Sequence, residues 1–399
     1  MSWGIITLTQ NSLHLGLRVK DSLKDNGTLY APEKIINSYR NEIIESIDQP
    51  FKSFVKSIYQ KHQGMIFIMA AGIVVRSLEG LLEHKSKDPG VIVMDEKGEF
   101  IIPILSGHLG GANEMAIVLA EKLKATPVIT TASDVQGKMA VDMLAKKLGF
   151  AFVDFNAATK LSGKIVNDEK VVVFTEVPLP DWVEKYFPVL RCSKEQLPDK
   201  VQEHSGGAII VSSRNLGKEL GSKPVRKHKS ERESKKDNGQ ESEQAGEEGN
   251  EQGSKQAWEH KFNSAYRIQL YPKNLILGIG ARKNVSASHV RRSIEAVLKD
   301  FGYSALSIKH FATVDVKEKE PGILEGIKEF NRPLKIISRE EIKTVEGSFE
   351  GSNFVKETLG ILAVAEPAAY LSSTKDGEFI FGKRKIEGLT LALWKENCH

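Results

Sequence analysis

The sequence predicts an α/β protein: three α/β domains with mostly parallel sheets, the last joined by a disordered charged linker. Three observations carry this. Short apolar runs such as Met65–Met69, Val91–Met94, Val171–Phe174 and Ala208–Val211 alternate with stretches whose apolar residues recur every three or four positions. That alternation marks buried strands joined by amphipathic helices. A chain of 399 residues exceeds what one hydrophobic core supports. From about Gly221 to Lys261 the composition shifts to charge, from Arg226-Lys227-His228-Lys229 to Glu241, Glu243, Glu247, Glu248 and Glu251. With almost no aliphatic residue, that stretch cannot offset the entropy of ordering. The expected boundaries are residues 1–135, 136–220, the linker 221–262, and 263–399.

Taken in order, Gly4–Leu8 is a first strand, and Leu15, Leu17 and Val19 lead into a helix ending before Asn26-Gly27. Residues 43–58 read as helical with a break or restart at Pro50. Met65–Met69 is a buried strand turned by Ala70-Ala71-Gly72 into a helix, with Arg76 just past the turn. Val91–Met94 and Phe100–Leu105 flank Asp95-Glu96-Lys97-Gly98 as a hairpin, so Ser106-Gly107-His108 lies where a strand ends. Ala112, Met115, Ala116, Leu119, Ala120 and Leu123 form one apolar helical stripe behind Gly110-Gly111. Pro127–Asp134 reads as a strand running into hydroxyls and a carboxylate, its end facing the same crevice as His108. Ala140, Met143, Leu144 and Leu148 start a second domain with a helix stopped at Gly149, followed by strands at Phe150–Phe155, Val171–Phe174 and Ala208–Val211.

After the linker, Asn274–Ser286 reads as strand, glycine turn and cap, opening a helix through Val290, Ile294, Val297 and Leu298. Gly278 and Gly280 begin like a dinucleotide fingerprint, but Lys283 stands where a small residue is needed, so nicotinamide binding is not supported. Arg282 and Lys283 beside a helix start instead suit carboxylates. Phe311–Lys317 with Glu320, then Gly360–Glu366, Phe379–Lys385 and Thr390–Leu393, complete the last domain.

Composition narrows the function. The 40% hydrophobic and 27% charged fractions are those of an ordinary enzyme, and a net charge of +4 gives nucleic-acid binding no support. Cys192 and Cys398 are far apart, without metal or redox spacing, which fits a reduced compartment. The first residues read as a strand, not a signal peptide, and no apolar run approaches membrane-spanning length. A cytoplasmic location, with neither membrane nor nucleic acid as partner, is expected.

The Ala70–Arg76 turn, Lys85–Pro89, Leu105–Asn113 and Pro127–Thr131 resemble the N-terminal signature of the cobalt-precorrin-5A hydrolase family, CbiG, of anaerobic cobalamin biosynthesis. Gly278–Lys283, Ala312–Lys317 with Glu320, Ser352 and Val364–Ala369 resemble its C-terminal domain. That domain is shared with a stand-alone protein of the aerobic pathway, which implies that it binds a tetrapyrrole. The long charged insert departs from the family's short connection, and Pro367 stands where alanine is common.

The resemblance implies hydrolytic opening of the ring-A δ-lactone of cobalt-precorrin-5A, with loss of the meso carbon as acetaldehyde, giving cobalt-precorrin-5B. Cobalt is expected to arrive inside the substrate, since no His/Cys/Asp cluster has metal-ligand spacing, so neither a cofactor nor a protein-bound metal is expected, and other cobalamin-pathway enzymes are candidate partners. On this reading His108 is the candidate general base. Ser106 is either a nucleophile or a turn hydroxyl, and Asn113 with the N–H groups of Gly110 and Gly111 would stabilise the oxyanion. Glu114 would orient His108 or complement the helix dipole. Substrate contacts are expected from Arg76, Lys85, Asp88, Thr130 and Thr131, and in the last domain from Arg282, Lys283, Thr313, Lys317, Glu320 and Glu366. Asp88 and the Lys317–Glu320 pair also have plain readings, as a loop former and a surface ion pair. The alternative function is a non-catalytic carrier of corrinoid intermediates. A methyltransferase of the same pathway lacks a recognisable S-adenosylmethionine glycine loop.

Overall fold

The computed structural model describes residues 2–37, 43–216 and 266–397, so the expected linker lies outside the described residues. The chain divides into two compact units, Met1–Lys146 and Lys147–His399. The boundary expected near residue 135 falls inside the first of them.

The first unit is built on β1 (Trp3–Thr7), β2 (Gly27–Pro32), β3 (Glu45–Ile47), β4 (Gly64–Ile68), β5 (Gly90–Met94), β6 (Phe100–Leu105) and β7 (Thr126–Pro127). These form one seven-stranded sheet in the order β3-β2-β1-β4-β5-β6-β7. From β3 to β5 the strands run parallel, whereas β6 runs antiparallel to β5 and β7 parallel to β6. Continuous apolar runs suit β1, β4 and β5 because every residue of each is buried. Alternate side chains serve opposite faces: Ile5, Ile66, Ile68, Ile92 and Met94 join one cluster, and Ile6, Met65, Phe67, Val91 and Val93 the other. The helices Gln10–Leu23 and Ala112–Leu123 contribute to the first cluster and Phe51–Ile58 to the second.

Two expectations for this unit need correction. The residues read as helical before Pro50 instead supply β3, which pairs with β2 from Tyr30 to Pro32, and the helix begins only at Phe51. Proline fixes φ and is favourable at a helix start, so Pro50 begins that helix rather than interrupting a longer one. The strand expected over Pro127–Asp134 stops at Pro127, and Ala132–Val135 is helical. Its neighbour β6 pairs with it at Phe100 and Ile101, and after the Val128 N–H donates to Ile101 O the chain leaves the sheet.

The second unit carries two sheets. β8 (Val171–Thr175), β9 (Val189–Arg191), β10 (Gly207–Val211) and β11 (Arg267–Leu270) form a parallel four-stranded sheet in the order β11-β10-β8-β9. β12 (Leu275–Ala281), β13 (Ile308–Val314), β14 (Leu334–Ile337), β15 (Gly377–Ile386) and β16 (Leu389–Glu396) form a five-stranded sheet in the order β14-β13-β12-β16-β15. In the latter, β12 to β14 are parallel and the β15–β16 hairpin closes against β12 antiparallel. Phe150–Phe155 is not a strand: Ala151 makes an isolated bridge to Tyr271, and Asp154 caps a helix from Phe155 by accepting from Ala157 N. Gly278 and Gly280 lie inside β12 rather than in a turn, and the helix Ala365–Ser372 packs directly over Gly278. The three sheets bear out the mixed, mostly parallel α/β class. No helix among the described residues is long and apolar enough to cross a membrane.

His310 on β13 is 1% exposed, and its Nε2 is buried without a hydrogen-bond partner. Burial, followed by the charges of Lys335 and Lys309 and against Glu396 and the Ser372 backbone, pushes its pKa down to about 4. The unfolded chain therefore binds a proton that the folded chain refuses, and stability falls as pH drops from about 6.5 towards 4. Urea unfolding at pH 7 and pH 4.5 is expected to differ through this residue by on the order of 2 kcal/mol. The difference should shrink in His310→Gln.

Candidate functional site

Because β6 runs against β5, its last residue Leu105 pairs with Val91 at the start of β5. The segment after β6 therefore emerges at the amino-terminal rim of the parallel strands, opposite the rim where open α/β sheets usually hold ligands. Ser106 follows at φ 49, a left-handed conformation uncommon for a residue with a side chain, and the chain turns through Gly107 to His108.

His108 sits between two carboxylates. Its Nε2 is 3.0 Å from Asp134 Oδ2 and its Nδ1 is 3.4 Å from Asp142 Oδ1. Ser133 Oγ lies 3.4 Å from the same Nε2. The Asn113 amide donates to Asp134 Oδ2 at 2.6 Å and to Thr131 Oγ1 at 3.0 Å. Lys146 Nζ donates to the His108 carbonyl at 2.9 Å. Side-chain exposure is 14% for His108, 12% for Asp142 and 34% for Asp134, so Asp134 is the member open to solvent.

A neutral imidazole has one N–H and can satisfy only one carboxylate, whereas the protonated ring satisfies both. The hydrogen bond to Asp142, opposed by burial and aided by the charges of Asp142 and Asp134, accordingly holds the His108 pKa above its ordinary value. Burial works to raise the Asp142 pKa. The hydrogen bond and charge of His108, the charge of Lys85 and the Met143 N–H outweigh it and hold that carboxyl below its usual range.

Several expected residues meet here: His108, Asn113 and Thr131 are in one hydrogen-bonded cluster, and the charge of Lys85 acts on Asp142. Ser106 is adjacent in the chain, and its Oγ is buried without a hydrogen-bond partner. Thr130 is exposed.

Others do not fit their expected roles. Arg76 lies on the helix after β4, at the opposite rim, where its Nη1 donates to Gly72 O at 3.1 Å. The Gly111 N–H donates to His108 O, and the N–H groups of Ala112 and Asn113 donate to Ser106 O and Gly107 O. The turn thus consumes the start of the helix that was expected to receive an anion. Glu114 is 74% exposed and faces Lys146 at 3.9 Å, so it does not orient His108. Asp88 is buried and accepts from Glu83 N at 2.9 Å, which makes it a loop former. Gly110 serves close packing, because a Cβ there would lie 2.7 Å from Gly90 N.

In the second unit, Arg282 and Lys283 are exposed just after β12. Lys317 and Glu320 form a largely buried ion pair at 3.2 Å rather than a surface one. Glu320 also accepts from Asn284 N at 2.8 Å, so the pair braces the Arg282–Asn284 turn. Thr313 is fully buried and donates to Ile279 O at 2.7 Å, which removes it as a ligand contact. Glu366 Oε2 is buried without a hydrogen-bond partner, and its other oxygen lies over Gly382.

Sequence reasoning passed over Asp134 as a site residue and missed Asp142 and Lys146. One signal was present: Asp142 shares a buried helix face with Val141, Leu144 and Ala145, and an acid on such a face requires a partner.

The chain matches the family models described as Cobalamin synthesis G N-terminal over residues 53–134, Cobalamin biosynthesis central region over 139–222, and Cobalamin synthesis G C-terminus over 275–394. A cobalt-precorrin-5A hydrolase of Priestia megaterium is 27% identical over 376 residues, covering 94% of this chain and 90% of its own length. A second, of Salmonella typhimurium, is 29% identical over 376 residues, covering 92% of this chain and 90% of its own. Among solved structures, CobE, a protein from the cobalamin (vitamin B12) biosynthetic pathway, is 27% identical and covers 31% of this chain and 91% of its own, with a TM-score of 0.29. Asp134 closes the first matched region, and Asp142 lies near the start of the next.

Proposed function

We propose that this chain, which belongs to the cobalamin synthesis G family, is a cobalt-precorrin-5A hydrolase that opens the ring-A δ-lactone of its substrate and releases acetaldehyde, giving cobalt-precorrin-5B. The observation that carries the reading is the match to hydrolases of that name over 94% and 92% of the chain. The His108 cluster supplies a chemical centre for it, since it places titratable groups and an amide donor together at a partly open rim.

Lactone hydrolysis needs a proton acceptor for water, a donor for the departing oxygen and positive charge near the developing oxyanion. His108, Asp134, Asn113 and Lys85 offer these. Ser106, two positions before His108 in the chain, is the candidate nucleophile of an acyl-enzyme route. Arg282 and Lys283 suit the carboxylate edge of a tetrapyrrole. The cobalt enters as part of the substrate, and the reaction is placed in the cytoplasm.

Purified protein incubated with cobalt-precorrin-5A should yield acetaldehyde and cobalt-precorrin-5B above a no-enzyme control. Tight binding without product would instead favour the carrier.

Gly107 offers a check on the site's geometry. A Cβ there would lie 2.5 Å from Asn113 Oδ1 and 2.9 Å from its Nδ2. In Gly107→Ala the amide must leave Thr131 and Asp134, and turnover is expected to fall by about 10- to 100-fold. Unchanged kcat would detach Asn113 from the reaction.

A further inference from the structure

We propose that Asp134, rather than His108, takes the proton from the attacking water, and that His108, clamped between Asp134 and Asp142, is its positioning partner. The inference rests on the hydrolase reading and adds a division of labour within the site.

The geometry separates the candidates. A base needs a free lone pair facing the reacting water. Both ring nitrogens of His108 face carboxylates, at 3.0 and 3.4 Å, and the ring is 14% exposed. Asp134 is more than twice as exposed, and among the described residues its side-chain contacts, with His108 and Asn113, fall on Oδ2. Oδ1 carries neither of these contacts, which makes it the acceptor offered to water. Anchoring one oxygen through two donors fixes the carboxylate plane, which a solvent-exposed aspartate could not do alone.

Asp142 acts from behind. It is buried and engages Nδ1, so it fixes the ring orientation and favours the form that donates on both sides. The helix Val141–Leu148 that carries Asp142 also carries Lys146, which holds the His108 carbonyl. Both residues lie beyond the first matched region, so the N-terminal signature is completed from the central one.

The step balances. Water adds to the lactone carbonyl while Asp134 takes its proton. The ring C–O bond breaks as the tetrahedral adduct collapses, and Asp134 returns the proton to the departing alkoxide. Lactone and water become a hydroxy acid, and the carboxylate is regenerated.

The two assignments give opposite pH profiles. The groups at the ring are Asp134 and Ser133 from one helix and Asp142 from another; Lys146 holds the His108 carbonyl, Asn113 holds Asp134, and Lys85 acts on Asp142 from the loop before β5. With Asp134 as base, kcat/KM declines as pH rises through the His108 titration, because a neutral ring releases one carboxylate. With His108 as base, it rises through the same titration.

The test uses the full chain. Wild type, Asp134→Asn, Asp142→Asn and His108→Gln are assayed with cobalt-precorrin-5A across pH, and ¹⁵N-histidine spectra of wild type and Asp142→Asn follow the His108 ring, assigned through His108→Gln. The expected results are a loss of about 100-fold or more in kcat for Asp134→Asn with KM held, and an alkaline decline in wild type. The His108 titration should lie above its ordinary value in wild type and fall in Asp142→Asn. Near wild-type turnover by Asp134→Asn, or a rising profile, overturns the base assignment. An ordinary His108 titration in wild type overturns the clamp. A wild type that makes no product sinks the hydrolase reading and the base assignment together, and the clamp is then judged by the spectra alone.

Discussion

Replacing His108 by alanine is expected to lower turnover of cobalt-precorrin-5A by about 10²- to 10⁴-fold. The size of the effect follows from what the ring holds apart. Asp134 Oδ2 and Asp142 Oδ1 approach its two nitrogens, and Asp142 is buried. Without the ring, two carboxylates share a partly dry site with no cation between them, and one must take up a proton or swing away. Asp134 then keeps only Asn113 as an anchor. The ring is assigned to positioning rather than to substrate binding, so the loss should appear in kcat with KM nearly constant. Added imidazole, small enough for the vacated space, should restore part of the rate. Turnover within a few-fold of wild type would remove the cluster from the mechanism.

Gly278→Ala is expected to destabilise the second unit by about 3 kcal/mol, near the upper end of the usual cost of overpacking. Its Cβ would fall well inside van der Waals contact with the Ala365 carbonyl oxygen and 2.8 Å from the carbonyl carbon. Neither atom can rotate away, because both belong to the backbone at the start of the helix Ala365–Ser372. That helix is held by Ala368 and Ala369, both fully buried in a cluster with Ile276, Ala312 and Trp394. Moving it to admit a methyl group would open that cluster. Gly280 gives the internal control, since a Cβ there meets the Val364 side chain at 3.3 Å, a contact that a small shift relieves. Urea midpoints should therefore separate the two variants. Equal midpoints would mean that the helix slides along the strand without cost.

These particulars also mark what the sequence carries. The strands β4, β5, β8, β10 and β12 were legible because buried parallel strands are apolar throughout, and the antiparallel, partly exposed β6 because Asp95–Gly98 is a turn between two apolar runs. The Ser286 cap, accepting from His289 N, was legible from spacing alone. Residues 45–47, 128–134 and 150–155 were misread because each is short, and pairing with β2, loss of a partner or the Asp154 cap decided its state. At the site, glycines beside His108 and Asn113 drew attention correctly. Asp142 escaped because the expected domain boundary lay between it and the histidine, although the compact unit runs to Lys146. Arg76 was grouped with His108 by nearness in sequence, and sequence distance does not report strand direction.

That direction has a consequence for how the first unit can be probed. Turning β6 around puts the Ala70–Arg76 turn and the histidine at opposite poles of the sheet, with the five residues of β5, about 16 Å of extended chain, between their levels. Chemical labelling of Arg76 and of His108 should accordingly behave as two independent reporters. A molecule that shields both would have to reach around the sheet's flank.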